Sequence, residues 1–262
     1  MTSSVRATVL SGGHPFDGPA FEAMLASLEG VTCRHVPWPD ALAVFEPGGL
    51  ADTDVLVCYD MQGVGFDGTP TPKRPAPPAA VVEGWERLLT AGVPVVCLHH
   101  NIAAWPAWER YADIVGGRYH YVAASLHGVD WPDSGYRHNV HQTLTVAAPG
   151  HPVCAGVPNS FELTDETYLC PIFEDRVTPL LVSDAPKTEA EFYGTALALS
   201  GTRNSNEGWH HPDGSTLAGW THTVERSTIV YLQPGDGPEA FGNPHYRTLL
   251  GNAIRWGATT RP

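Results

Sequence analysis

The chain has 262 residues, with 15 Lys+Arg against 28 Asp+Glu for a formal net charge of −13 at pH 7. Hydrophobic residues make up 42% and charged residues only 16%, the opposite of a disordered composition. The acidic balance leaves no basic face to neutralise phosphates, which excludes nucleic acid as a partner and argues against an anionic membrane surface.

The length suits one α/β domain over residues 1–262, since such folds often reach ~200–250 residues. The start, Met1-Thr-Ser-Ser-Val-Arg6, runs into an apolar strand without a basic region before it, so no signal peptide is expected. The longest apolar stretches, 93–98 and 102–105, are far short of the ~20 residues of a membrane helix. Five cysteines with no CxxC pair, and with Cys58 and Cys97 inside apolar runs, read as reduced thiols of a cytoplasmic protein.

In chain order, residues 6–10 form a β-rich run that ends in Ser11-Gly12-Gly13. Apolar spacing at Phe21, Met24, Leu25 and Leu28 predicts a helix over 20–28. Strands follow at 31–36 and 54–59, the second a continuous apolar run. Residues 63–78, rich in Gly, Pro and Thr around Lys73-Arg74, read as an excursion loop. A helix over 79–91 closes on Gly92 as its C-cap. A strand at 93–98 is followed by a helix over 102–114, ended by Gly116-Gly117. Further strands are expected at 144–147, 178–182, 217–221 and 228–232, with a turn at 149–152 and a closing helix over 245–256. The alternation predicts a mostly parallel sheet with helices on both faces and an added antiparallel portion. Ligands in such sheets bind beyond the carboxyl ends of the strands. That places His14, Tyr59-Asp60-Met61 and His99-His100-Asn101 at one rim.

Several segments, in order, carry a family likeness: Val-Pro-Val-Val-Cys-Leu-His-His at 93–100, Gly-Gly-Arg-Tyr-His-Tyr at 116–121, His151-Pro152, Asp-Glu-Thr-Tyr at 165–168, and the stretch from Asn243 to Trp256. Together they resemble the trehalose-utilisation (ThuA-like) family over nearly the whole chain. The resemblance implies a flavodoxin-like fold similar to class I glutamine amidotransferases, and a link to sugar catabolism through 3-keto-glycosides. This chain departs from it at Gly235-Asp236, where family members usually carry Gly-His.

Amidotransferase-like folds hold a nucleophilic Cys on a sharp strand-to-helix elbow flanked by glycines. Here His99-His100 fill the elbow without a flanking Gly, and Cys97 lies earlier, inside the strand. A mid-strand thiol has neither exposure nor a lowered pKa. Cys97 is therefore expected in the core, which disfavours an amidotransferase-like or peptidase-like hydrolase. His99 then projects from the rim, and His120, after a glycine turn, is placed to reach the same cleft. With Glu166 they are the expected catalytic residues, as acid/base groups. The same three, His99, His120 and Glu166, are the expected ligands of a divalent metal, zinc or manganese. Asp165 and Glu166 point to opposite faces of an extended segment. Glu166 is taken as facing the cleft, against a reading in which Asp165 caps a turn and Glu166 pairs with an Arg such as Arg118.

His14, Tyr168 and Trp209 are the expected substrate-binding residues. Trp209 lies in a polar Asn/His loop and offers a face for a pyranose. The GxGxxG spacing of a phosphate loop is absent. The expected function is a hydrolase, isomerase or lyase acting on a glycoside or keto-sugar. The alternative is a non-catalytic sugar- or partner-binding protein on the same scaffold. A small-molecule carbohydrate is the expected partner, and assembly into a homo-oligomer is left open.

Overall fold

The computed structural model describes residues 4–262; residues 1–3, on which part of the no-leader expectation rests, lie outside the described residues. In chain order the elements are β1 (Val5–Gly12), α1 (Gly18–Ala26), β2 (Val31–Pro37), β3 (Val55–Asp60), α2 (Ala79–Ala91), β4 (Val95–Leu98) and α3 (Glu109–Val115). Then come β5 (Ala124–Leu126), β6 (Val129–Trp131), β7 (Gly135–Val146), β8 (Ser160–Leu169), β9 (Thr178–Ser183), β10 (Tyr193–Gly194) and α4 (Thr195–Leu199). The chain finishes with β11 (Leu217–Val224), β12 (Ser227–Leu232), α5 (Pro238–Gly242) and α6 (Pro244–Thr260). Among the described residues no helix is long and apolar enough to cross a membrane.

One ten-stranded sheet runs through the molecule. Its parallel half has the order β2-β1-β3-β4-β12, the 2-1-3-4-5 order of flavodoxin-like sheets. β12 also pairs antiparallel with β11, and β9, β7, β8 and β10 continue the sheet antiparallel. β12 is thus the seam between the two halves. β5 and β6 form a separate hairpin.

Every residue of β3 and β4 is buried, as strands covered on both faces require. Alternation sends Val57, Tyr59, Val96 and Leu98 to a core with Phe21 and Met24 of α1 and Leu249 and Leu250 of α6. It sends Leu56, Cys58, Val95 and Cys97 to the other core, with Trp85 and Leu88 of α2 and Tyr111 of α3. Each such Val or Leu stabilises the fold by roughly 1.5–3 kcal/mol. Cys97 is therefore a core thiol, fully buried. Asp17 caps α1 by accepting from the Ala20 N–H, and Gly92 closes α2 in the left-handed region at φ +70°.

The structure departs from the sequence reading in several places, among them the unexpected β5–β6 hairpin, β10, α4 and α5. The helix expected over 102–114 is two elements: a 3-10 turn at His99–Ala103 and then α3. Trp105 separates them at φ +49°, its N–H given to the Gln62 carbonyl, and Pro106 supplies no N–H to carry a helix on. β7 starts nine residues before the strand expected at 144–147 (144 − 135), and β8 was not expected. Both alternate buried and exposed residues with many polar side chains, so no apolar run marks them. The 63–78 loop folds back on itself through paired hydrogen bonds between Gly65 and Lys73.

Candidate functional site

β4 ends at the rim, and His99 turns the chain at φ +47°. A non-glycine residue there costs on the order of 1–3 kcal/mol and persists only where the surroundings hold it. Two groups from the β12 region do so. Tyr231 donates its hydroxyl to the His99 carbonyl at 2.7 Å, and His99 Nδ1 donates to the Gln233 carbonyl at 2.8 Å. With Nδ1 committed, Nε2 is the ring atom left for chemistry. It lies 2.7 Å from Tyr168 Oη, 3.2 Å from Glu166 Oε2 and 3.5 Å from Asp236 Oδ1. Tyr168 Oη in turn donates to Glu166 Oε2 at 2.7 Å.

Glu166 and Tyr168 come from β8 at i and i+2, so the pleat puts both on one face. Asp165 points the other way and accepts from the Gly235 N–H at 2.7 Å and the Asp236 N–H at 3.1 Å. Its role is to shape the turn that delivers Asp236. Gly235 sits at φ +134°, and a Cβ there would lie 2.7 Å from Tyr246 Oη, so glycine is required. Glu166 Oε1 meets His138 Nδ1 of β7 at 3.0 Å, and Gln233 Nε2 donates to the Glu166 carbonyl at 2.8 Å. Glu166 has no contact with Arg118. That buried guanidinium instead donates to the carbonyls of Ala104, Trp105 and Trp108.

Burial acts to lower the His99 pKa, but hydrogen bonds to Asp236 and Glu166 outweigh it and raise it to about 10. Burial acts to raise Glu166, and the hydrogen bonds from His138 and His99 outweigh it and hold the carboxyl well below its usual range. The two form a buried ion pair with Tyr168 bridging them. Burial and the nearby His99 keep His14 and His100 low, hence neutral. These two rings pack at 4.8 Å between centroids.

A cavity opens above Glu166 and Tyr168, with His14, His100, Tyr119 and Tyr121 among its walls. His99, Glu166, Tyr168 and His14 are thus gathered at one place. His120 is not. Its backbone N–H donates to Ser134 Oγ, and burial, Arg118, His211 and Arg74 lower its ring to about 4. Trp209 is not gathered either. It is 8% exposed, donates Nε1 to the Asp133 carbonyl at 3.2 Å, and presses against Gly135 and Gly194, where a Cβ would lie within 2.7–2.8 Å of the indole. That contact makes it a packing residue with no free face for a sugar.

The metal-compatible group differs accordingly from the one expected. One ligand atom each from His99, Glu166 and Asp236 lie within 4.8 Å of one another, and Asp236 takes the place expected for His120. Sequence reasoning missed Asp236, His138 and Gln233. For Asp236 the signal was present as the Gly-Asp departure from the family pattern. His138 had one too, since it alternates with Tyr136 as cleft-facing strand residues do.

A family model described as trehalose utilisation matches residues 7–257. No curated protein matches. A solved ThuA-like protein from Parabacteroides merdae is similar with a TM-score of 0.66 at 13% identity, covering 98% of this chain and 90% of that one. A ThuA-like protein from Bacteroides uniformis is similar with a TM-score of 0.61 at 17% identity, covering 98% and 92%. The structure described as PurLQS from Thermotoga maritima aligns with a TM-score of 0.53 at 11% identity, covering 97% and 99%. The fold is similar to that of the amidotransferase-like proteins, and its parallel half has the flavodoxin-like strand order.

Proposed function

Because this chain belongs to the ThuA, or trehalose-utilisation, family, we propose that it is a carbohydrate-metabolism enzyme acting on a glycoside or keto-sugar, with His99 and Glu166 as its acid–base pair. Family membership points to a carbohydrate-related role; the reaction is the proposal. The observation that carries it is the meeting of His99 Nε2, Tyr168 Oη and Glu166 Oε2 within 3.2 Å below an open cavity. At neutral pH the imidazolium, which lies behind the cavity wall, passes its Nε2 proton to the Tyr168 hydroxyl, which gives its own proton to an oxygen of the sugar. Glu166, ionised, accepts a proton from the substrate directly or through the Tyr168 hydroxyl. The Gln233 carbonyl fixes the His99 ring, so the proton leaves from one defined atom. We place this chemistry in the cytoplasm, in keeping with cysteines that are all free thiols.

A second reading rests on the donor set. His99, Glu166 and Asp236 offer one imidazole nitrogen and two carboxylates in reach of one point. This fits a divalent cation such as zinc or manganese, with the Nδ1–Gln233 hydrogen bond as the outer support that ligating histidines usually have. Such an ion would supply Lewis-acid polarisation of a sugar carbonyl or hydroxyl.

The test is turnover of keto-glycosides and plain disaccharides, with metal analysis of protein purified without added metal. The acid–base reading expects His99→Ala and Glu166→Gln to lose turnover by ~100-fold or more while the protein stays folded. One divalent ion per chain, lost in His99→Ala, selects the metal form. If every sugar is returned unchanged, the enzyme reading fails and a sugar- or partner-binding role takes its place.

A further inference from the structure

The chamber over Glu166 and Tyr168 holds about 160 Å³, and the hydrogen-bond donors of its wall are already spent inside the protein. Tyr121 gives its hydroxyl proton to the Ala103 carbonyl at 3.2 Å. Thr195 gives its own to the Ser134 carbonyl at 2.7 Å, so the hydroxyl contact between Tyr119 and Thr195 uses the proton of Tyr119. Tyr168 gives its proton to Glu166 Oε2. His100 donates from Nε2 to the Tyr59 carbonyl at 3.1 Å, and its buried Nδ1 has no partner among the described residues. A neutral imidazole has one donor and one acceptor, so that Nδ1 carries a lone pair. The two wall groups with a donor still to give, His14 and Tyr136, stand at the neck shared with an outer chamber. Deeper in, the wall offers acceptors: phenol oxygens, an imidazole lone pair and the Glu166 carboxylate.

The rings and the charge of the wall agree with that count. Phe66, Tyr121, Tyr119 and Tyr168 follow one another in edge-on contacts at 5.8, 5.6 and 5.2 Å, each ring turned by 68–70° from the last. Rings so turned do not share a plane and box the space instead, as the aromatic cages that hold ammonium groups do. Among the described residues no Lys or Arg lines this chamber, and Arg203 lines only the outer one. Behind the wall the His99 imidazolium stands against two carboxylates, Glu166 and Asp236, and His138 adds its ring only at the outer chamber. A phosphate or carboxylate brings acceptors alone and finds no donor there. An ammonium brings three donors and no acceptor. We infer that the inner chamber binds a protonated amine, so that the ligand of this protein is an amino sugar rather than a neutral or acidic one. The ammonium follows from the wall alone; that a sugar carries it rests on the carbohydrate reading above.

Calorimetric titration of the full chain at neutral pH with glucosamine, glucose and N-acetylglucosamine tests the inference, since acetylation removes the charge and keeps the ring. Glucosamine is expected to bind at least about tenfold more tightly than the other two. Glu166→Gln is expected to remove about tenfold from glucosamine and to leave the two neutral sugars within about twofold. Phe66 is 53% exposed, so Phe66→Leu leaves the core untouched, and it is expected to weaken glucosamine alone by a smaller factor. Equal binding of the three sugars overturns the inference, as does binding of none, or an equal loss for charged and neutral sugars in both variants. Selective binding of glucosamine by a wild-type protein that turns no sugar over sinks the catalytic reading and leaves this one standing. Turnover of neutral keto-glycosides that excess glucosamine does not inhibit does the reverse.

Discussion

His99, just after the interior strand β4, and His35, on the edge strand β2, make similar contacts in the same sheet. His99 Nε2 meets the Tyr168 hydroxyl and the Glu166 carboxylate. His35 Nε2 lies 2.6 Å from Ser11 Oγ, and its Nδ1 contacts Glu22, the order of groups in a serine-hydrolase triad. What separates them is access. His99 and Ser11 are equally buried, at 0% and 1% exposed, but the Glu166 and Tyr168 that His99 meets line the cavity, whereas Ser11, His35 and Glu22 line none of it. The carboxylates are reversed as well: Glu22 is 56% exposed and Glu166 is 7%. A hydroxyl–histidine–carboxylate chain becomes a site where a cavity reaches it and the carboxylate is dry enough to hold the histidine strongly. At the β1–β2 edge the same chain ties a strand to α1.

The sharpest way to break this comparison is a paired turnover assay. His99→Ala should lose ~100- to 10,000-fold, and His35→Ala and Ser11→Ala should stay within about twofold of wild type. A large loss in Ser11→Ala would move the chemistry to the edge. Next, Glu166→Gln should remove one of the two carboxylates, Asp236 first and Glu166 second, that hold His99 charged. Because the His99 pKa is raised to about 10 from 6.5, its contribution to stability is present below pH 6.5 and is lost as pH rises towards 10. Chelator-treated wild-type protein should therefore lose melting temperature across that window, and Glu166→Gln should flatten the decline. Glu166 itself runs the other way, since its lowered pKa makes its contribution fade as pH falls below the usual carboxylate range. An identical pH–stability curve in the two proteins would show that the ion pair does not form.

Smaller effects sharpen the picture further. Gly235→Ala should cost on the order of 1–3 kcal/mol from its left-handed backbone and the clash with Tyr246, and should lower turnover by displacing Asp236. Thermal denaturation and kinetics on one preparation check both. Ser11→Ala, which removes one hydroxyl hydrogen bond, should cost only about 1 kcal/mol, read as a shift in denaturation midpoint.

The parallel half was legible because its strands are buried on both faces and its helices carry caps such as Asp17 and Gly92. β7 was not, because residues 137–139 are Arg-His-Asn and its register shifts between Arg137 and Val140, with Asn139 at φ +55°. Glu166 and Tyr168 could be read together from their i, i+2 spacing on an extended run. Asp236 could not, because its place depends on Asp165 gathering two backbone N–H groups about 70 residues away. His120 and Trp209 looked suited to a cleft by type and by a nearby turn. Their directions are set by Ser134, Asp133 and two glycines, contacts that no local pattern announces.

The seam strand has a consequence for how the protein is made. β12 is the last of the twelve strands in chain order, yet it lies between β4 and β11. While a ribosome is still short of residue 227, both neighbours present open edges, and the β4 edge is the wholly apolar Val95-Val96-Cys97-Leu98, the kind of edge that recruits other chains. The same strand and the turn after it bring Tyr231 and Gln233 to His99. Closing the sheet and setting the His99 elbow are therefore one late event in synthesis, and a chain stalled before it is both inactive and prone to stick.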